Sequence, residues 1–171
     1  MSLADDLLGV AREMAESTNP VWQQARLRRA ASTAYYALFH LLVEEAAARF
    51  VDDPKIRTLV ARGFSHTDLM KVATTFESGA GALPKHIKLV FADAIPHGIV
   101  EISKVFILLQ RNRHEADYDL LSVFVQHEVV EIVSKAEQAF ADFRTLLANP
   151  AAKSAIDLFL SSLLLIDRWK K

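Results

Sequence analysis

The chain has 171 residues, 51% of them hydrophobic, with five glycines and no cysteine. That is long enough to bury a core without staples, and it excludes disulfides, thiolate metal sites and a cysteine nucleophile. A formal net charge of −1 excludes capture of nucleic acid by the molecule as a whole, so any such binding must rest on a local patch.

The opening MSLADDLLGV has two acids and no basic region before its apolar stretch, unlike a signal peptide. Apolar residues then recur at helical spacing, and no alternating stretch bounded by turn signals argues for a strand, so the expectation is an all-α protein. A first helix spans Ser2 to Ser17. Asn19 offers a cap with Pro20 at the first helical position, opening a long second helix to about Phe50. Asp52, Asp53 and Pro54 turn the chain into a short helix from Lys55 to Arg62, which Gly63 stops. Ser65 caps a helix from His66 to Phe76, and ESGAGALP follows as a loop. Pro84 starts a helix to about Ala94, and Pro96 starts the next, which runs through the apolar stretch Ile99 to Leu109 into QRNRHEADYD, Gln110 to Asp119. A break at Asp117 to Asp119 separates it from a helix capped by Asp119 or Ser122 and reaching about Leu147. Asn149 and Pro150 precede a last helix, Ala151 to Trp169. The plainest architecture is an up-and-down bundle of four or five core helices with extra short ones, formed by residues 1–150. Residues 151–171 form an apolar helix that must pack on this bundle or on a dimer partner. Its run AIDLFLSSLLLI is too short for a bilayer, which needs about 20 apolar residues. A cytoplasmic protein without a membrane segment is expected.

Two polar surfaces interrupt this apolar pattern. On the second helix, Arg29, Ser32, Thr33, Tyr36, His40 and Glu44 fall in a band roughly 120° wide, opposite Ala30, Ala31, Ala34, Leu38, Leu41 and Leu42. The band is either a solvated face or a partly buried polar seam at a cleft or dimer contact. Tyr36 and His40 argue for the seam, because solvated faces more often use Lys and Glu. The other surface is QRNRHEADYD. If the helix persists, Arg111, His114, Glu115 and Tyr118 share a face. Arg111 is a forked cation suited to phosphate, and an imidazole exchanges protons near neutral pH, so Arg111 and His114 could handle a phosphodiester without metal. Alternatively, Arg111, Arg113 and His114 only complement the negative end of the helix dipole.

RRAASTAYYALFHLL (Arg28 to Leu42), RGFSHTDLMKVATTF (Arg62 to Phe76) and LLQRNRHEADYD (Leu108 to Asp119), in this order, resemble the HEPN domain, the higher eukaryote and prokaryote nucleotide-binding domain. The likeness covers roughly Trp22 to Arg144 and is greatest to small stand-alone prokaryotic members with a tyrosine pair on an early helix and an Arg…Ala-Asp-Tyr ending. It implies a helical bundle, usually a homodimer. Nuclease members use an arginine, a polar neighbour and a histidine four to six positions further on to cut RNA without metal. Toxin members stand beside a nucleotidyltransferase-type partner that can adenylylate a tyrosine two positions after the histidine. Carried onto this chain, Arg111 matches the arginine, Asn112 its neighbour and Tyr118 the tyrosine, while Ala116 stands where the histidine belongs. Alanine cannot shuttle a proton, a role worth ~10²–10⁴-fold in rate. His114, or His40 from the other band, is the stand-in.

The six histidines, at 40, 66, 86, 97, 114 and 127, include no pair at metal-helix spacing, so neither a metal nor a cofactor is expected. SGAGALPK lacks the P-loop pattern, and adjacent Ser65 and His66 make poor nucleophile geometry. Trp22, Phe39 and Phe106 are core by default. The leading expectation is a HEPN-like RNA- or nucleotide-binding domain of a toxin–antitoxin or defence type of system, weakened in catalysis by Ala116, with Arg29, Tyr36, His40, Arg111, Asn112 and Tyr118 as binding residues. The alternatives are an active metal-independent endoribonuclease using Arg111 with His114 or His40, and a non-catalytic scaffold.

Overall fold

The computed structural model describes residues 2–89, 91 and 94–168, the side chain of His86 excepted. Every regular element among them is a helix, so the chain is all-α, as the periodicity predicts. The first helix, α1, is Leu3–Glu16. Ser2 caps it reciprocally with Asp5: the Ser2 hydroxyl accepts from the Asp5 amide at 3.3 Å, and the Asp5 carboxylate accepts from the Ser2 amide at 3.1 Å.

Helix α2, Gln23–Phe50, begins after Trp22 and not at Pro20. The Asn19 side chain accepts from the Val21 amide at 2.9 Å, closing a turn outside the helix. Trp22 then takes φ 55°, a left-handed conformation that no right-handed helix can include. Its side chain is exposed rather than part of the core.

Two local caps follow, that of Ser65 as anticipated and that of Asp53 within the expected turn. Asp53 accepts from the Lys55 amide at 2.8 Å and starts α3, Pro54–Ala61. Ser65 accepts from the Asp68 amide at 3.1 Å and starts α4, His66–Glu77. In the loop beyond, Gly79 has φ 85° and ψ 178°, a region essentially reserved for glycine. Helix α5 is confined to Lys85–Lys88, short of the expected end near Ala94; residues 90, 92 and 93 of that stretch lie outside those described.

Helix α6, His97–Tyr118, ends inside the expected break at Asp117 to Asp119. Helix α7, Gln126–Leu147, starts later than a cap at Asp119 or Ser122 would give. Both candidate caps are engaged elsewhere: Asp119 accepts from the Leu121 amide at 2.9 Å, and the Ser122 hydroxyl donates to Glu115 at 2.6 Å. A 3-10 turn at Pro150–Ala152 leads into α8, Lys153–Leu165. Trp169, where the last helix was expected to end, lies outside the described residues.

The chain forms two compact units, Met1–Leu41 with Val105–Phe140 and Leu42–Lys104 with Ala141–Lys171. In the first, Ala11, Ala15, Leu27, Ala31, Leu38, Phe106, Leu109, Val129, Val133 and Phe140 are buried. Alanines on α1 and α2 let helices approach closely, and each large apolar side chain removed from water contributes about 1.5–3 kcal/mol. The Arg12 fork ties α1 to α7, donating to Glu137 at 2.8 Å and to Ser134 at 3.1 Å.

In the second unit α8 packs on α4. The Phe76 ring meets Phe159 edge-on at 5.1 Å and Phe91 at 5.6 Å. Arg49 pairs with Asp157 at 3.0 Å and Lys71 with Asp167 at 2.6 Å. Glycine at 98 brings α6 against α7, since a Cβ there would stand 3.2 Å from a Leu146 methyl. No helix among the described residues is long and apolar enough to cross a membrane.

Candidate functional site

The candidate site lies wholly in the first unit, at the polar end of α6 and the start of α2. Because α6 stays helical to Tyr118, residues three, four and seven apart stack on one face. Arg111, His114, Glu115 and Tyr118 therefore share it. Arg111 is exposed and has no hydrogen bond or ion pair among the described residues. Tyr118 is 62% exposed, and its ring lies 5.0 Å from that of His114, tilted by 47°. Glu115 is occupied by the Ser122 hydroxyl. Asn112 donates its amide to the Leu108 carbonyl of its own helix at 2.9 Å, so that N–H is turned to the backbone.

The other side of the same turns is closed. Arg113 donates to the Tyr36 hydroxyl at 3.0 Å. Its guanidinium carbon lies 5.4 Å from the Tyr118 ring centre, 5.6 Å from Tyr36 and 5.9 Å from Tyr35, within cation–π range of all three. Its Nε stands 2.9 Å from the Asp117 carboxylate, but the N–H is not aimed at the oxygen and has no other acceptor. The contact is a Coulombic pair rather than an aligned hydrogen bond. Asp117 also accepts from Ser32 at 3.3 Å and faces Arg29 at 3.8 Å.

Burial works against the Arg113 charge, but the hydrogen bond from Arg113 to Tyr36 and the nearby Asp117 and Tyr118 outweigh it and raise its pKa. Burial pushes the Tyr35 hydroxyl well above the ordinary tyrosine value, with Arg113 opposing the shift. Tyr35 is thus a neutral wall for the guanidinium.

Arg28 holds the end of α6. Its guanidinium donates to the carbonyls of Ala116 at 2.9 Å, Asp119 at 2.8 Å and Ser122, and it lies 5.3 Å from the Phe124 ring centre. Carbonyls at a helix C-terminus lack intrahelical partners, and a cation there satisfies them and complements the dipole. Ala116 itself is buried.

The polar band on α2 is narrower than the spacing predicts. Arg29, Thr33, Tyr36, His40 and Glu44 form a partly open stripe, while Ser32 is fully buried against Asp117. Burial lowers the His40 pKa, and its ring meets Phe39 edge-on at 5.6 Å. No hydrogen bond, ion pair or ring contact joins His40 to the α6 residues among those described.

Of the residues read from sequence, Tyr36 therefore reaches the α6 end through Arg113, Arg29 through Asp117, and His114 meets Tyr118. Arg111 shares the α6 face of that ring pair, while His40 stands apart from α6. Sequence reasoning passed over Arg28, Arg113 and Asp117 as site residues, although Arg113 and Asp117 stand at the i,i+4 spacing of a helical ion pair. Among the described residues no three His, Asp or Glu side chains are placed to hold a metal ion. An open cation on the helix face that carries two exposed rings, tilted against each other, can take a phosphate oxygen and a flat base.

No protein-family model matches the chain, and searches of curated proteins and of solved structures likewise return no match.

Proposed function

We propose that the chain is a HEPN-like domain that binds RNA or a nucleotide in the cytoplasm, as part of a toxin–antitoxin or defence type of system. The observation that carries this reading is Arg111, exposed and without a partner among the described residues, on one face with the His114–Tyr118 ring pair. An unpaired arginine beside exposed aromatic rings suits a phosphate and the base attached to it. The resemblance implies a homodimer and, for toxin members, a nucleotidyltransferase-type partner acting on the tyrosine that matches Tyr118.

Metal-independent cleavage of RNA is the second reading, and one observation favours it. The imidazole of His114 lies on the same helix face as Arg111, whereas Ala116 is turned inward. A base and an arginine on one side of a phosphodiester could take the 2′-hydroxyl proton and stabilise the developing charge.

The test is single-stranded RNA in EDTA, scored for both binding and cleavage, with Arg111→Ala alongside. Binding without cleavage, with a salt slope that falls by about one in Arg111→Ala, supports the binding domain. Cleavage lost in both Arg111→Ala and His114→Ala supports the nuclease. No interaction with RNA or with mononucleotides would refute both.

A further inference from the structure

Tyr118 is the last residue of α6, and its side chain is 62% exposed. Left unrestrained, such a side chain would exchange among rotamers. A long helical side chain leans back over the preceding turn, and two residues there meet the Tyr118 ring. The His114 ring lies 5.0 Å away, tilted by 47°, and the Arg113 guanidinium carbon stands 5.4 Å from the ring centre. These two neighbours leave the helix about 100° apart, so they restrain the ring from different directions.

Arg113 is itself fixed. It donates to the Tyr36 hydroxyl of α2 at 3.0 Å, pairs with Asp117, and is only 19% exposed. Its guanidinium carbon lies 5.9 Å from the ring of Tyr35, which is fully buried and packs 5.4 Å from the core residue Phe106. A chain of ring and cation contacts thus runs from Phe106 through Tyr35, Arg113 and Tyr118 to His114, joining the core to the open face. Arg111 belongs to that face but not to the chain.

We propose that Arg113 is a positioning residue for base recognition, holding the Tyr118 ring ready as a stacking platform for a nucleic-acid base. The proposal rests on the reading of the Arg111 face as an RNA or nucleotide site. It divides the work there: Arg111 takes the phosphate, which makes binding depend on salt, and Tyr118 takes the base, whose flat face any ring can stack upon. A side chain ordered before the ligand arrives loses little freedom on binding, which is worth roughly 2–10-fold in affinity.

The test compares two probes in EDTA, single-stranded oligoadenylate and an abasic ribose-phosphate chain of the same length, binding to the parent, Arg113→Ala, Tyr118→Ala and Arg111→Ala. The parent should prefer oligoadenylate. Tyr118→Ala should abolish the preference, and Arg113→Ala should reduce it roughly 2–10-fold with an unchanged salt slope. Arg111→Ala should keep the preference and lose about one from the slope. Because the chain has three tyrosines, fluorotyrosine labelling gives three fluorine resonances, and that of Tyr118, assigned by Tyr118→Phe, should move towards free fluorotyrosine in Arg113→Ala. Arg113→Met, which retains the stem without the cation, replaces the alanine variant should that one not fold. A preference that survives loss of Arg113, or equal weakening of both probes, overturns the proposal. A parent that binds both probes equally also overturns it while leaving the phosphate reading of Arg111 intact. A parent that binds neither refutes that reading, and the proposal falls with it.

Discussion

Arg113 and Arg111 lie two positions apart on α6, yet they should respond to truncation in opposite ways. In Arg113→Ala the Tyr36 hydroxyl loses its donor, three tyrosine rings lose a cation, and Asp117 loses its nearest counter-charge. Breaking a buried ion pair by removing one partner costs about 3–5 kcal/mol. Here both side chains are 19% exposed, and Asp117 keeps Ser32 and, more weakly, Arg29. The expected loss is therefore about 2–3 kcal/mol, the discount reflecting residual solvation. For a chain of this size each kcal/mol moves Tm by roughly 2–4 °C, which gives a fall of about 4–12 °C. Arg111→Ala removes a side chain with no partner among the described residues and should stay within about 0.5 kcal/mol of the parent. Thermal and urea unfolding of the two variants, followed by circular dichroism, decides the matter. An Arg113→Ala protein as stable as the parent, or equal losses in both variants, would refute the division of α6 into a closed and an open side.

Gly79→Ala should cost about 1–3 kcal/mol from backbone strain alone, since a Cβ there meets nothing within 4 Å; Gly81→Ala, equally open and without positive φ, is the control that should leave urea unfolding unchanged. His40 predicts a pH effect. Its folded pKa lies below its ordinary 6.5, so the unfolded chain binds more protons, and the contribution present above pH 6.5 is lost as pH falls towards the lowered value. The carboxylates with lowered pKa, Asp68, Glu101, Asp119, Glu131 and Asp157, have ordinary values of 3.8 or 4.5 and act further down. Tm should therefore decline between pH 6.5 and 5, and His40→Gln should flatten that decline; an unchanged slope would show that His40 is not its source.

What the sequence revealed here depended on the range of the interaction. Ser2, Asp53 and Ser65 cap helices through amides two or three residues away, and each was readable from its neighbours. The start of α7 was not. Asp119 and Ser122 look like caps in sequence, but Arg28, 91 residues from Asp119, holds their carbonyls and fixes the loop. Ser32 falls in the polar band by spacing, but whether it was solvated or buried was not legible locally, because its partner, Asp117, is 85 residues away. The left-handed turn at Trp22 gave no signal at all, since tryptophan is not a residue that favours it. At the candidate site, the i,i+4 pair of Arg113 and Asp117 could have been found by spacing alone.

Ala116 brings the resemblance and the helix geometry into direct conflict. Five residues on from Arg111, an undistorted helix has turned roughly 140°, and Ala116 is buried with its carbonyl held by Arg28. An imidazole there could not face the same phosphate as Arg111 unless the turn were rebuilt. Ala116→His should thus destabilise the protein by about 1–3 kcal/mol through overpacking, more if the ring nitrogens stay unpaired, and RNA cleavage in EDTA should not rise. If instead the variant keeps its Tm and begins to cut RNA, with the activity lost on adding Arg111→Ala, residue 116 can reach the open face. The inward orientation of Ala116 would then be wrong, and the missing histidine would be the sole defect of an otherwise complete nuclease motif.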